Sequence, residues 1–183
     1  WSLIDYGLTP KAAYFAVKRA SQPVIAPLII KNEAVQGFVV NETATDLELT
    51  WEFKSAKFNG ENLFSKSGKK KAVAHSSTLI FTEPLENLPT PKESLLTLTL
   101  RHSGKVVFED TKLVAEPKNL LFPNPQLQLQ TKKTDAHTFE IRLQCDLYAK
   151  AVFLHLNGLT GEFSDNFFDL LPHESQTVQC RTK

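Results

Sequence analysis

Ser67-Gly68-Lys69-Lys70-Lys71 has the composition of a phosphate cradle, with glycine for close backbone approach and lysine for charge. It lacks the GxxxxGK[ST] spacing that such a loop needs, and it reads instead as a Lys-rich hairpin tip that aids solubility. Five histidines (His75, His102, His137, His155 and His173) are the residues that would ligate a metal or shuttle a proton. No HExxH or related spacing joins them, so the sequence predicts no metal and no cofactor. Cys145 and Cys180 would supply a nucleophilic thiol only beside a local activator, and none is visible. They share the inward parity of Leu143 and Val178; two core-filling thiols are favoured over a bridge, which stays open. Asn41-Glu42-Thr43 has the form of a glycan acceptor, a role confined to eukaryotic secreted proteins. Trp51 and the 13 phenylalanines read as core, since no row of exposed aromatics for stacking sugars is evident.

The elements that position these residues follow from period and punctuation. Thr9-Pro10 is a helix start signal, with threonine as N-cap and proline at the first helical position. Ala12, Ala13, Phe15, Ala16, Val17 and Ala20 with Lys11, Lys18 and Arg19 then suit a three-turn amphipathic helix that Pro23 stops. Such a helix is marginal alone, so it must pack, and the expected support is the sandwich that starts near Val24. From Val24 onward the period is two. Leu47, Leu49, Trp51 and Phe53 alternate with polar residues, as do Leu96, Leu98 and Leu100, and Phe139, Ile141, Leu143 and Cys145. Further strands are expected at Val24–Ile30, Ala34–Val40, Lys105–Val114, Ala151–Leu156 and Thr177–Arg181. The fold class is therefore all-β, two immunoglobulin-like β-sandwiches preceded by one short α-helix. Pro117, Pro123 and Pro125 mark an extended linker over Glu116–Pro125, and no sequence repeat relates the halves.

Composition narrows the partners. Lys+Arg 21 against Asp+Glu 20 leaves a net charge of +1, which gives no electrostatic reason to expect nucleic acid or an anionic membrane. At 42% hydrophobic and 22% charged the chain is of ordinary globular composition. No apolar run approaches the roughly 20 residues that span a bilayer, so a soluble chain is expected. There is no methionine, and the chain opens on Trp1 inside a patterned segment without a basic, apolar leader, so the expectation is a piece of a longer protein.

Two stretches are specific. Trp1-Ser2-Leu3-Ile4-Asp5-Tyr6-Gly7, the helix Pro10–Ala20 and Gln22-Pro23-Val24 together resemble the last barrel segment of family 2 glycoside hydrolases of the β-mannosidase type. There a W-S-x-x-D-Y-Y-G loop leads into a helix ending A-K-[KR] and then into a sandwich; this chain has one Tyr before Gly7 instead of two. Gly161-Glu162-Phe163-Ser164-Asp165-Asn166-Phe167-Phe168-Asp169-Leu170-Leu171-Pro172 is similar to the F-S-D-N-[YF]-F-D-L-L-P-G-E signature of the C-terminal immunoglobulin-like domain in the same enzymes, with His173 in place of the usual glycine. Physically, Ser164, Asp165 and Asn166 close a turn and the following Phe and Leu residues re-enter the core, so the stretch reads as a structural corner rather than a ligand site.

The resemblance implies that residues 1–22 are the remnant of the last barrel loop and helix, 23–115 a first immunoglobulin-like sandwich and 116–183 a second. Enzymes of this type are retaining glycosidases with two carboxyls about 5 Å apart. Both glutamates lie on barrel strands upstream of the part matching Trp1–Gln22, so no catalytic residue is expected here. Asn32-Glu33 and Asn41-Glu42 mimic the family's acid/base dipeptide but fall in sandwich sequence. Trp1 is the one expected rim residue of the substrate site. The reading is thus the non-catalytic accessory domains of an exo-β-mannosidase, partnered by its catalytic barrel and, through it, by glycan. The alternatives are the same region of an exo-β-glucosaminidase, or a stand-alone carbohydrate-binding pair whose Trp1 or Trp51 fluorescence would respond to sugar. The compartment is open; periplasmic, secreted or lysosomal settings suit such a parent.

Overall fold

The computed structural model describes residues 2–158 and 160–182. The chain divides into two compact units, Gln22–Phe122 and Trp1–Ser21 with Pro123–Lys183. In the first, eight strands form two antiparallel sheets. One holds β1 (Val24–Ile25), β2 (Leu28–Lys31), β3 (Ala34–Asn41) and β6 (Ser76–Pro84), with β3 central. The other runs in the order β5 (Asn62–Ala72), β4 (Leu47–Lys57), β7 (Ser94–His102), β8 (Lys105–Lys112).

Alternation along β4 sends Leu49, Trp51, Phe53 and Ser55 inward, and β7 adds Leu96, Leu98 and Leu100, all fully buried. Val35 and Val39 of β3 meet them from the other sheet. Each large aliphatic or aromatic side chain so buried contributes about 1.5–3 kcal/mol. Phe81 of β6 stacks on Trp51 at 5.2 Å and tilts against Phe53 at 4.6 Å. Its ring occupies the space over Gly37, where a Cβ would lie 2.2 Å from the ring edge.

Several expectations are corrected. Val24–Ile30 is not one strand, because Ala26-Pro27 interrupts the ladder between β1 and β2. Ser67–Lys71 is no hairpin tip; it lies within β5, and Gly68 sits opposite Trp51. The glycine is there for room, since a Cβ would meet the indole at 2.8 Å. Asn32 and Glu33 form the two-residue turn between β2 and β3, both with positive φ (50° and 57°), the geometry of a primed hairpin turn.

The second unit holds α1 (Ala12–Ala20) and six strands, β9 (Leu127–Lys133), β10 (Thr138–Cys145), β11 (Ala149–Val152), β12 (Gly161–Phe163), β13 (Phe168–Leu170) and β14 (Ser175–Thr182). The sheets run β12-β14-β10-β9 and β11-β13. Ile141, Leu143, Val178, Phe168 and Leu170 form its core with both cysteines.

The helix starts later than the Thr9-Pro10 signal predicts. Its N-cap is Lys11, with no side-chain cap, and the chain before it closes on itself instead. Asp5 Oδ1 accepts from the Thr9 amide at 2.8 Å, and Ile4 bridges Pro10. Asp5 thus takes the threonine's backbone amide as a turn partner, and the proline falls outside the helix.

The cysteines are free and buried. Phe139 pairs with Cys180, and Cys145 lies six residues further along β10, so the thiols stand about 20 Å apart at strand spacing. That is far outside disulfide reach. Burial pushes both thiols up, away from the thiolate form a nucleophile needs.

Candidate functional site

The corner over residues 164–169 is tied by hydrogen bonds to the strands around it. Ser164 ties it to the sheet, its amide donating to Gln179 O and its hydroxyl accepting from the Gln179 amide. Asn166 is 4% exposed and satisfies three backbone groups. Its Oδ1 accepts from the amides of Leu154 (2.7 Å) and Phe167 (2.9 Å), and its Nδ2 donates to Leu154 O (2.9 Å). Phe167 is held at φ 52°, a conformation disfavoured for a bulky residue, and its ring stacks on Phe153 at 4.7 Å. His173 takes φ 64°, keeping the left-handed conformation that a glycine adopts freely.

Onto this corner α1 docks. Arg19 donates to Asp165 Oδ1 (2.5 Å), Asn166 O (3.1 Å) and Phe167 O (3.0 Å), and Lys18 donates to Ser164 O (2.8 Å). Phe15, buried at 2%, sets its ring 6.1 Å from that of Phe167. The expected support, the sandwich starting at Val24, is therefore not where the helix is anchored. The basic last turn of a helix carries partial negative charge, so Lys18 and Arg19 are favourable there before they meet the corner. The planar guanidinium then serves three acceptors from two separate nitrogens, a fork that lysine's single nitrogen does not have.

Asp169 completes the corner from behind. Burial raises its carboxyl, but the Tyr148 hydroxyl (2.5 Å), the Ala151 amide (2.9 Å) and Lys150 (3.3 Å) together outweigh it and hold the group below the usual carboxylate range. Asp169 is thus occupied by donors, and Asp165 is paired with Arg19. The arrangement captures a cation and fixes a helix.

The other sequence candidates are dispersed. Glu33 sits exposed in the β2–β3 turn and Glu42 exposed after β3, both in the first unit, whereas Asp165 belongs to the second. Asn41 is fully buried: its Nδ2 donates to Thr45 O and Ala72 O, and its Oδ1 accepts from the Thr43 amide and hydroxyl. The sequon therefore serves as a turn lock, with no free amide for a glycan. Trp1 lies outside the described residues. Among the described residues no cluster of three His, Cys, Asp or Glu is placed to hold a metal, and no helix is long and apolar enough to cross a membrane. Sequence reasoning missed Arg19 as the partner of the corner; the available signal was a basic pair ending the one helix and an oxygen-rich turn 146 residues away.

Comparison with known proteins places these parts. A mannosidase Ig/CBM-like domain model matches residues 33–119, and an Ig-fold domain model of mannosidases matches residues 122–183. The chain is 26% identical to β-mannosidase A of Aspergillus oryzae over 206 residues, covering 97% of this chain and 21% of that protein. It is also 26% identical to β-mannosidase A of Emericella nidulans, covering 98% of this chain and 21% of the relative. The chain thus spans about a fifth of the length of these curated relatives. Among solved structures, the β-D-mannosidase of Dictyoglomus thermophilum superposes with TM-score 0.88 at 22% identity, over 99% of this chain and 22% of that one. The exo-chitosanase of Amycolatopsis orientalis superposes with TM-score 0.71 at 21% identity, over 98% and 26%. With both of its sandwiches matched to mannosidase domain families, the chain belongs to the C-terminal, immunoglobulin-like region of family 2 glycoside hydrolases of the β-mannosidase type.

Proposed function

We propose that this chain is the non-catalytic accessory part of a retaining exo-β-mannosidase, and that its work is to brace the end of the catalytic barrel. In this reading residues 1–22 are the last barrel loop and helix, and 23–115 and 116–183 are the two immunoglobulin-like sandwiches. The observation that carries it is the capture of α1 by the corner: Arg19 spans Asp165, Asn166 and Phe167. A helix that ends a barrel and is clamped to a sandwich cannot drift, and barrel strand ends hold catalytic carboxyls to within fractions of an ångström. Two such carboxyls on a rigid scaffold are what a covalent glycosyl-enzyme mechanism requires, and in this reading both lie on the barrel.

An aryl-β-mannoside assay on this chain and on the full-length parent tests the reading. Turnover by the parent alone is expected. Turnover by this chain that vanishes on replacing Glu33, Glu42 or Asp165 would overturn it. A parent inactive on mannosides but active on aryl-β-glucosaminides would transfer the same bracing role to a glucosaminidase.

A further inference from the structure

The solvent face of the β5-β4-β7 sheet carries a polar arrangement that the bracing role does not use. A depression of about 340 Å³ lies there, lined by Thr50, Glu52, Ser67, Lys69, Thr99 and Arg101, with Trp51 and Gly68 between them. Register explains the set. Lys69, Thr50 and Arg101 are direct cross-strand partners and form one row; Ser67, Glu52 and Thr99 form the next, two residues along. The rows are about 7 Å apart and the outer strands of each row about 10 Å apart, from strand geometry alone.

The two rows differ in chemistry. In the first, two cations flank a hydroxyl, and among the described residues no ion pair joins Lys69 or Arg101 to a carboxylate. Arg101 lies half-buried at a register shift between β7 and β8, the kind of bulge that re-aims a side chain. In the second row the charge is already balanced, because Glu52 pairs with Lys54 at 2.9 Å. Thr99, 7% exposed, donates to Glu109 at 3.0 Å, which leaves its oxygen to accept. One row therefore accepts an anion, and the neighbouring row offers hydroxyls and a carboxylate to hydroxyl groups. A bare anion satisfies only the first row and a neutral sugar only the second.

We propose that this depression binds a uronate-bearing saccharide, its carboxylate held between Lys69 and Arg101 over Thr50 and its ring hydroxyls hydrogen-bonded to Ser67, Glu52 and Thr99. The site lies in the first unit and the corner that captures α1 in the second, and its test does not depend on the parent's activity. Arginine and lysine on one carboxylate give charge-assisted bonds, the stronger class, and the adjacent hydroxyl-binding row supplies the selectivity.

Titration calorimetry and amide-resolved NMR on the full 183-residue chain test it, with trigalacturonate, mannotriose and inorganic sulfate as probes. Saturable binding of trigalacturonate is expected, with shifts at Thr50, Lys69 and Arg101 and at least tenfold weaker binding of the other two. Lys69→Ala and Arg101→Ala should each weaken it at least fivefold. Thr50→Val and Glu52→Gln should weaken it two- to fivefold, while Lys118→Ala, which removes a distant surface charge, should not. Thermal melts show that each variant is folded. No saturable binding, sulfate bound as tightly as the saccharide, or an equal loss in Lys118→Ala would each overturn the proposal.

Discussion

Arg19 illustrates how one side chain can decide where an element sits. Its guanidinium serves a carboxylate and two carbonyls, and removing it leaves Asp165 without its cation and two backbone oxygens without their donor. Hydrogen bonds to charged groups contribute about 1.5–3 kcal/mol, so Arg19→Ala should destabilise the dock by about 2 kcal/mol. The loss should be local: hydrogen exchange in α1 accelerates at least tenfold while β10 and β14 stay protected. Arg19→Lys should recover only part of it, having no planar fork. Asp169 gives the corner a pH dependence of definite sign. Its folded-state carboxyl is held below the ordinary value, so it contributes stability that is fully present above the unfolded carboxylate range near pH 4. That stability is lost as pH falls through the lower folded value. Acid titration of the second unit should therefore show a decline below about pH 4 that Asp169→Asn flattens, with the variant already weaker at neutral pH.

At the scale of elements, packing between strands sets the tolerance to change. Gly37 of β3 lies under the Phe81 ring, and a methyl there would overlap it. Gly37→Ala should cost about 1–3 kcal/mol, the range for overpacking a filled core, and chemical denaturation followed at Trp51 would report it. The strands that the sequence made legible are those whose apolar and polar residues alternate: β4, β7 and β10 each lie inside their sheet, and β7 keeps the alternation although it is buried on both faces from Ser94 to Leu100. The strands that escaped are at edges or carry polar inner positions. β5 hides as a Lys-Ser run because its inward Gly68 yields space to Trp51, and β9 is exposed along its whole length, so no buried parity marks it. The corner motif was legible as a turn. Its role was not, because Arg19 and Asp165 are linked only by tertiary structure, and no local pattern encodes a partner 146 residues away. The same holds for Asn41, whose sequon form gave no sign of a buried lock.

The whole molecule leaves apolar surface near its start uncovered. Leu3, Ile4, Tyr6, Leu8 and Val17 are all exposed, Tyr6 completely, within one short stretch. Such density on a free surface drives association. Sedimentation of this chain should show concentration-dependent self-association that Leu8→Ser with Val17→Lys suppresses; a strictly monomeric chain at high concentration would count against a covering partner. The capture of α1 also sets a schedule. Residue 165 leaves the ribosome 146 residues after Arg19. At typical synthesis rates of about 5–20 residues per second, the helix waits roughly 7–30 s for the turn that receives it. During that interval Arg19 has none of its corner acceptors. A premature stop only a few codons before Ser164 would leave that wait without an end, so a stretch translated late decides the fate of one translated well before it.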